Sequence, residues 1–94
     1  MPRPEDVTHA KFPVENVLYS DGGFSIAWGE WNEERQCIGM RWDGEGGDPG
    51  YPKLFGNPVW FVLPEELSVT ILISLIGKKG AKNSAIIDIL SKNL

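Results

Sequence analysis

Residues 24–42 read FSIAWGEWNEERQCIGMRW: two runs of alternating apolar residues around a charged insert. The fold turns on how these two runs pair. In an extended chain successive side chains point to opposite faces. Phe24, Ile26 and Trp28 therefore share one face, and Ser25, Ala27, Gly29 and Trp31 share the other. The second run repeats the arrangement, with Ile38, Met40 and Trp42 on one side and Cys37, Gly39 and Arg41 on the other. Asn32 to Gln36 are polar and free of glycine, which predicts antiparallel pairing through a hairpin loop longer than the tightest two-residue turn. The bulky face, worth roughly 1.5–3 kcal/mol per large side chain buried, is the expected core. The face of small residues has two readings. Glycine within a strand marks the close approach of another segment or subunit, or else Ala27, Gly29 and Gly39 floor a shallow trough.

The flanking chain supplies partners for this hairpin. Val14 to Ser20 is β-prone, and Asp21-Gly22-Gly23 is a turn joining it to Phe24, which makes a three-stranded meander. Residues 1–13 hold three prolines and no periodicity, and are expected to be a flexible tail, mobile or laid over the surface, with His9 solvated. Residues 43–58 pack five glycines and three prolines into sixteen positions, a density that predicts a long loop without regular structure. Val59 to Leu63 is an apolar run of strand length, and Pro64-Glu65-Glu66 is a helix start. Leu67, Ile71, Leu72, Leu75 and Ile76 form a helical stripe, while Val69 and Ile73 lie off it, a surplus that suggests a second covering surface. Gly77-Lys78-Lys79-Gly80 ends that helix, and a short C-terminal helix capped at Asn83 or Ser84 follows. The expected fold is one α+β domain over residues 14–94, a four-stranded mainly antiparallel sheet covered by the Glu65–Ile76 helix, with the C-terminal helix docked beside it.

Ninety-four residues suffice for one modest core. Net charge is −4, with ten acids against five bases in residues 1–58 and three against four in residues 59–94. That balance argues against non-specific nucleic-acid binding, which draws on a basic face. The one cysteine, Cys37, forms no internal disulfide. The N-terminus lacks the apolar core of a signal peptide, and the longest apolar run, near Val69 to Ile76, is too short to span a bilayer, so the cytoplasm is the default location and no membrane partner is expected.

Catalytic and cofactor motifs are missing from the sequence. Asp43, Glu45 and Asp48 do not have calcium-loop spacing. Glu30, Glu33 and Glu34 sit where a soluble turn is expected. What remains is an interleaving of aromatic and basic residues: Trp31, Arg35, Arg41, Tyr51, Lys53 and Phe55. If Trp31 and Arg41 share the face of small residues and the loop carrying Tyr51 and Lys53 folds over its rim, a cation adjoins a stacking surface. Such a site suits a nucleobase, a nucleotide or another small planar anion. In the other reading, Trp31 and Phe55 pack in a subunit interface, where aromatics and arginine are enriched.

The blocks VLYSDGGFSIAWGEW, GMRWDG and GYPKLFGNPVWFVLPEEL resemble small uncharacterised bacterial proteins carried in mobile integron gene cassettes, over about residues 17–76. The resemblance implies a horizontally acquired accessory protein and transfers no functional residue. The order of meander, strand, Leu63-Pro64, acids and helix is similar to the single-strand-binding coactivator family, positive cofactor four. That likeness implies a small dimer with a curved sheet backed by a helix, although this chain lacks a basic sheet face and has an additional C-terminal helix. The leading expectation is a non-enzymatic binding protein, a homodimer without cofactor or metal, meeting a protein or planar anion through the face of small residues and the 43–58 loop. Single-strand binding through Trp31, Arg35, Arg41 and Lys53 is the alternative, and a small-substrate enzyme the third.

Overall fold

The computed structural model describes residues 3–93. The chain runs β1 (Val14–Asp21), β2 (Phe24–Trp31), β3 (Arg35–Trp42), β4 (Lys53–Leu54), β5 (Asn57–Pro58) and β6 (Phe61–Val62). A 3-10 turn at Glu65–Leu67 then leads into α1 (Ser68–Leu75), and α2 (Asn83–Asn93) closes the domain. Four strands form one antiparallel sheet in the order β1-β2-β3-β6, while β4 and β5 make a separate two-stranded ribbon. The architecture is α+β, with the expected meander, added strand and two helices.

The β2–β3 hairpin is continuous from Phe24↔Trp42 through Ala27↔Gly39 to Trp31↔Arg35. Its loop is shorter than expected. Arg35 and Gln36 stay in the ladder opposite Trp31 and Glu30, leaving only Asn32 to Glu34 outside it. Asn32 and Glu33 both take left-handed backbone (φ 54° and 62°), and Glu34 N–H donates to Trp31 O at 3.0 Å. Successive left-handed residues give the turn a twist that matches the strands on either side.

The bulky face is the principal core. Leu18, Ile26, Trp28 and Ile38 meet Leu72 and Leu75 of α1 and Ile86 of α2. An irregularity in β1 between Val17 and Tyr19 lets the consecutive residues Leu18 and Tyr19 both pack on this side. The five-residue stripe predicted for the first helix is buried only in its middle, since Leu67 is 43% and Ile76 40% exposed. Both ends depart from α-helical phase for local reasons: Leu67 closes a 3-10 turn, and Ile76 is already extended (ψ 126°).

The face of small residues is buried as well, by the chain's own N-terminal segment. Val7 and Phe12, each 2% exposed, join Ala27, Cys37 and Trp60 in a second cluster, and Trp60 Nε1 donates to Val7 O at 2.6 Å. From Arg3 onward the expected flexible tail is therefore laid over the sheet, and two of its side chains belong to the core. Gly29 and Gly39 are required by that contact. A Cβ on Gly39 would stand 2.8 Å from Phe12 Cε2, and one on Gly29 would stand 2.6 Å from Pro13 O. The covering-segment reading of the small residues holds, and the open trough does not exist.

The outer edge of β1 is closed by the segment between the helices, with Ser20 N–H donating to Gly80 O and Lys82 N–H to Leu18 O. The opposite edge strand, β6, has only two residues. Both edges are thus blunted against strand addition. Among the described residues no helix is long and apolar enough to cross a membrane.

Candidate functional site

Arg41 faces the small-residue side, as the strand period requires, but it is no surface cation. It is 1% exposed and runs beneath the 43–58 loop. One guanidinium nitrogen, Nη1, donates to Val59 O at 2.5 Å and to Pro52 O at 3.4 Å, and the other, Nη2, donates to Pro49 O. Arg41 Nε has no hydrogen bond, and Asp43 Oδ1 lies 4.0 Å away. Asp43 is itself 2% exposed, with Ser25 Oγ at 2.8 Å from both of its carboxylate oxygens. Burial pushes the Arg41 guanidinium down from its ordinary pKa, and Asp43 opposes that shift. An arginine guanidinium keeps its proton at neutral pH in a folded protein, so Arg41 is a buried cation.

This cluster explains why residues 43–58 are ordered despite their glycines and prolines. Five donors in a rigid fork let one arginine take carbonyls from several strands of loop at once. Pro52 O and Val59 O flank the β4–β5 ribbon, so Arg41 ties both sides of its base. Trp42 and Tyr51 exchange backbone hydrogen bonds at 2.7 and 2.9 Å above it. The ribbon itself corrects the expectation of a structureless loop: Lys53 pairs with Pro58 and Leu54 with Asn57 around a two-residue turn. Proline is admissible there because an edge position asks for no further donor.

The surface built in this way is aromatic. The helices cover Ile26, Trp28 and Ile38 but leave the far end of the same sheet face open. There Trp42 is 56%, Phe61 59% and Tyr51 66% exposed, over a floor of half-buried Phe24 and Met40. Phe24 meets Trp42 edge to face, ring centres 4.6 Å apart. With Pro52 these side chains line a cleft of about 200 Å³. At the tip of the ribbon, Phe55 is 95% exposed and has φ 52°, followed by Gly56 at φ 78°. Glycine accepts that region freely, but for phenylalanine it costs roughly 1–2 kcal/mol. A strained, solvated aromatic at a loop tip is a feature the fold itself does not need.

The other expected site residues are dispersed. Trp31 is exposed at the opposite end of the small-residue face, beside a cleft it shares with Leu54 and Trp60. Arg35 lies 3.7 Å from Glu65, a solvated ion pair. Lys53 is exposed on the ribbon. Tyr51, Lys53 and Phe55 stay together on the loop, and Arg41 lines one cleft with Tyr51 but is buried there, while Trp31 and Arg35 lie elsewhere. Trp42 and Phe61 were missed, because both fall at core positions in the strand pattern. The structure shows why they are bare: the eight-residue α1, about 12 Å long, cannot cover a strand of eight residues, roughly 27 Å long.

A roomier cleft of about 480 Å³ lies between the hairpin loop and the helices, lined by Glu34, Arg35, Gln36 and Glu65 above Trp28 and Leu72. Its charged rim is well solvated, whereas exposed aromatic surface is costly in water. Cys37 is buried, and burial together with Glu65 and Glu66 pushes its thiol above the ordinary value while Arg35 partly opposes the rise, so it is a packing residue. Among the described residues no group of three or more His, Cys, Asp or Glu side chains could hold a metal ion. No family model, curated protein or solved structure matches this chain.

Proposed function

We propose that the protein is a non-enzymatic interaction module, a homodimer whose two copies meet through the aromatic ledge of Trp42, Tyr51 and Phe61 and the adjoining Phe55 ribbon. The carrying observation is the joint exposure of these four rings, three of which line a cleft whose one charged group, Arg41, is buried. Taking about 200 Å² per aromatic side chain, they offer on the order of 500 Å² of apolar surface to water. That sits at the upper end for the largest patch on a monomer. It is also well over half of the ~800 Å² that each partner buries in an interface of ordinary size. On the likeness in residues 17–76, the same proposal makes it a bacterial accessory protein.

Single-strand binding is the second reading, favoured only by the stacking potential of the ledge. The cations it requires are engaged elsewhere: Arg41 is buried under the loop and Arg35 is beside Glu65, which leaves Lys53. Size exclusion with light scattering, on the protein alone and with a single-stranded oligonucleotide at low and moderate salt, separates the two. The proposal expects a dimer that ignores the oligonucleotide. A monomer that forms a salt-sensitive complex would replace it with the second reading.

A further inference from the structure

We infer that the homodimer is closed by a reciprocal insertion: Phe55 of each copy enters the Phe24–Met40–Trp42–Tyr51–Phe61 cleft of the other. The inference rests on the homodimer proposal and specifies its contact. Three observations lead to it. The first is an unpaired knob, since Phe55 is 95% exposed and held in left-handed backbone by a two-residue turn whose base is tied down by Arg41. A ring presented on so stiff a support loses little freedom when it is captured. The second is an unfilled receptor. The cleft holds about 200 Å³ and is walled by aromatic and apolar groups together with the 1%-exposed Arg41, and an apolar cavity of about 150 Å³ is enough to take a benzene ring.

The third is placement. Pro52 lines the cleft and Phe55 follows three residues later, so knob and receptor are separated by at most about 11 Å of chain. The ribbon nevertheless points its tip away from its own cleft, as the exposure of Phe55 shows. A knob and a receptor side by side on one chain are satisfied together by a single two-fold axis passing between them. Each copy then gives one ring and receives one, and no open end remains to propagate a filament. Charge agrees with this pairing. Among the described residues, Lys53 beside the knob and Glu45 in the 43–48 loop make no ion pair. Across the axis, the ammonium of one copy approaches the acidic 43–48 loop of the other, which offsets part of the repulsion between two chains of net charge −4.

The test uses two variants of the full chain, mixed. Phe55→Asn removes the knob and suits the left-handed turn, so at a dilution where both are monomeric the domain should melt no lower than wild type. Phe61→Arg places a charge in the receptor at a position that is already exposed. Each variant alone should associate at least ten-fold more weakly than wild type by sedimentation equilibrium. An equimolar mixture should form a heterodimer visible by native mass spectrometry, because the Phe61→Arg chain still carries a knob and the Phe55→Asn chain still carries a cleft. A wild-type dimer that Phe55→Asn leaves unchanged, or a mixture without heterodimer, would overturn the reciprocal insertion while leaving the homodimer standing. A wild-type chain that remains monomeric would overturn both.

Discussion

Replacing Arg41 with methionine removes the side chain that ties the carbonyls of Pro49, Pro52 and Val59, and the structure sets the size of the effect. Asp43, 2% exposed, would keep the Ser25 hydroxyl but lose its counter-charge. Removing one partner of a buried ion pair costs about 3–5 kcal/mol. The carbonyls of Pro49 and Val59 would also lose their donor, at roughly 1 kcal/mol or more each where water does not replace it. Admitting water from the loop side, the expected loss is about 4–6 kcal/mol. A domain of 94 residues has on the order of 5–14 kcal/mol to lose. Urea unfolding followed by tryptophan fluorescence measures the change directly. Amide hydrogen exchange at Trp42 and Tyr51, whose mutual hydrogen bonds close the loop, reports whether it opens locally first. Adding Asp43→Asn should return 1–3 kcal/mol of the loss, since no orphan carboxylate then remains. Arg41→Met within about 1 kcal/mol of wild type, with both amides still protected, would refute the loop-pin assignment and restore Arg41 as a candidate ligand residue.

Phe12→Ala should cost about 3–5 kcal/mol in urea unfolding, because its ring fills the space over Gly29 and Gly39. For the same reason Gly39→Ala should destabilise wild type by 1–3 kcal/mol but a Phe12→Leu background by distinctly less, and equal penalties in the two backgrounds would refute the packing reading. Cys37 should resist alkylation at pH 8 in the native state and react promptly in urea. Because its folded pKa lies above the ordinary 9.0, the stability contributed by the protonated thiol is complete below pH 9 and falls as pH rises beyond it, so Cys37→Ala should flatten the alkaline limb of a stability–pH profile.

The faces of residues 24–42 were legible because a period of two leaves no freedom: Ile26, Trp28 and Ile38 had to lie together, and they do. What covers each face was less so. Small residues at Ala27, Gly29 and Gly39 announced a close neighbour without naming it, since Val7 and Phe12 lie in a proline-rich segment that follows no helical or strand period. Arg41 was placed on the correct face but at the wrong depth. A charge is read as solvated unless its partners are visible, and three of these partners are backbone carbonyls that leave no mark on the sequence. The β4–β5 ribbon was hidden by the same glycine and proline content that builds it, with Gly56 in the turn and Pro58 in the strand. Thus the helix start at Pro64 could be read, while the end of its cover, which exposes Trp42 and Phe61, depended on three-dimensional reach.

The four tryptophans make the most direct test of where the chain meets another copy. In a concentration series of proton–nitrogen NMR spectra, the indole N–H of Trp42, on the ledge, should shift progressively as the dimer forms. Those of Trp28 and Trp60, buried in the two cores, and of Trp31, at the far end of the sheet, should stay in place. Movement of Trp31 with Trp42 unmoved would contradict the account and return the interface to the opposite end of the sheet.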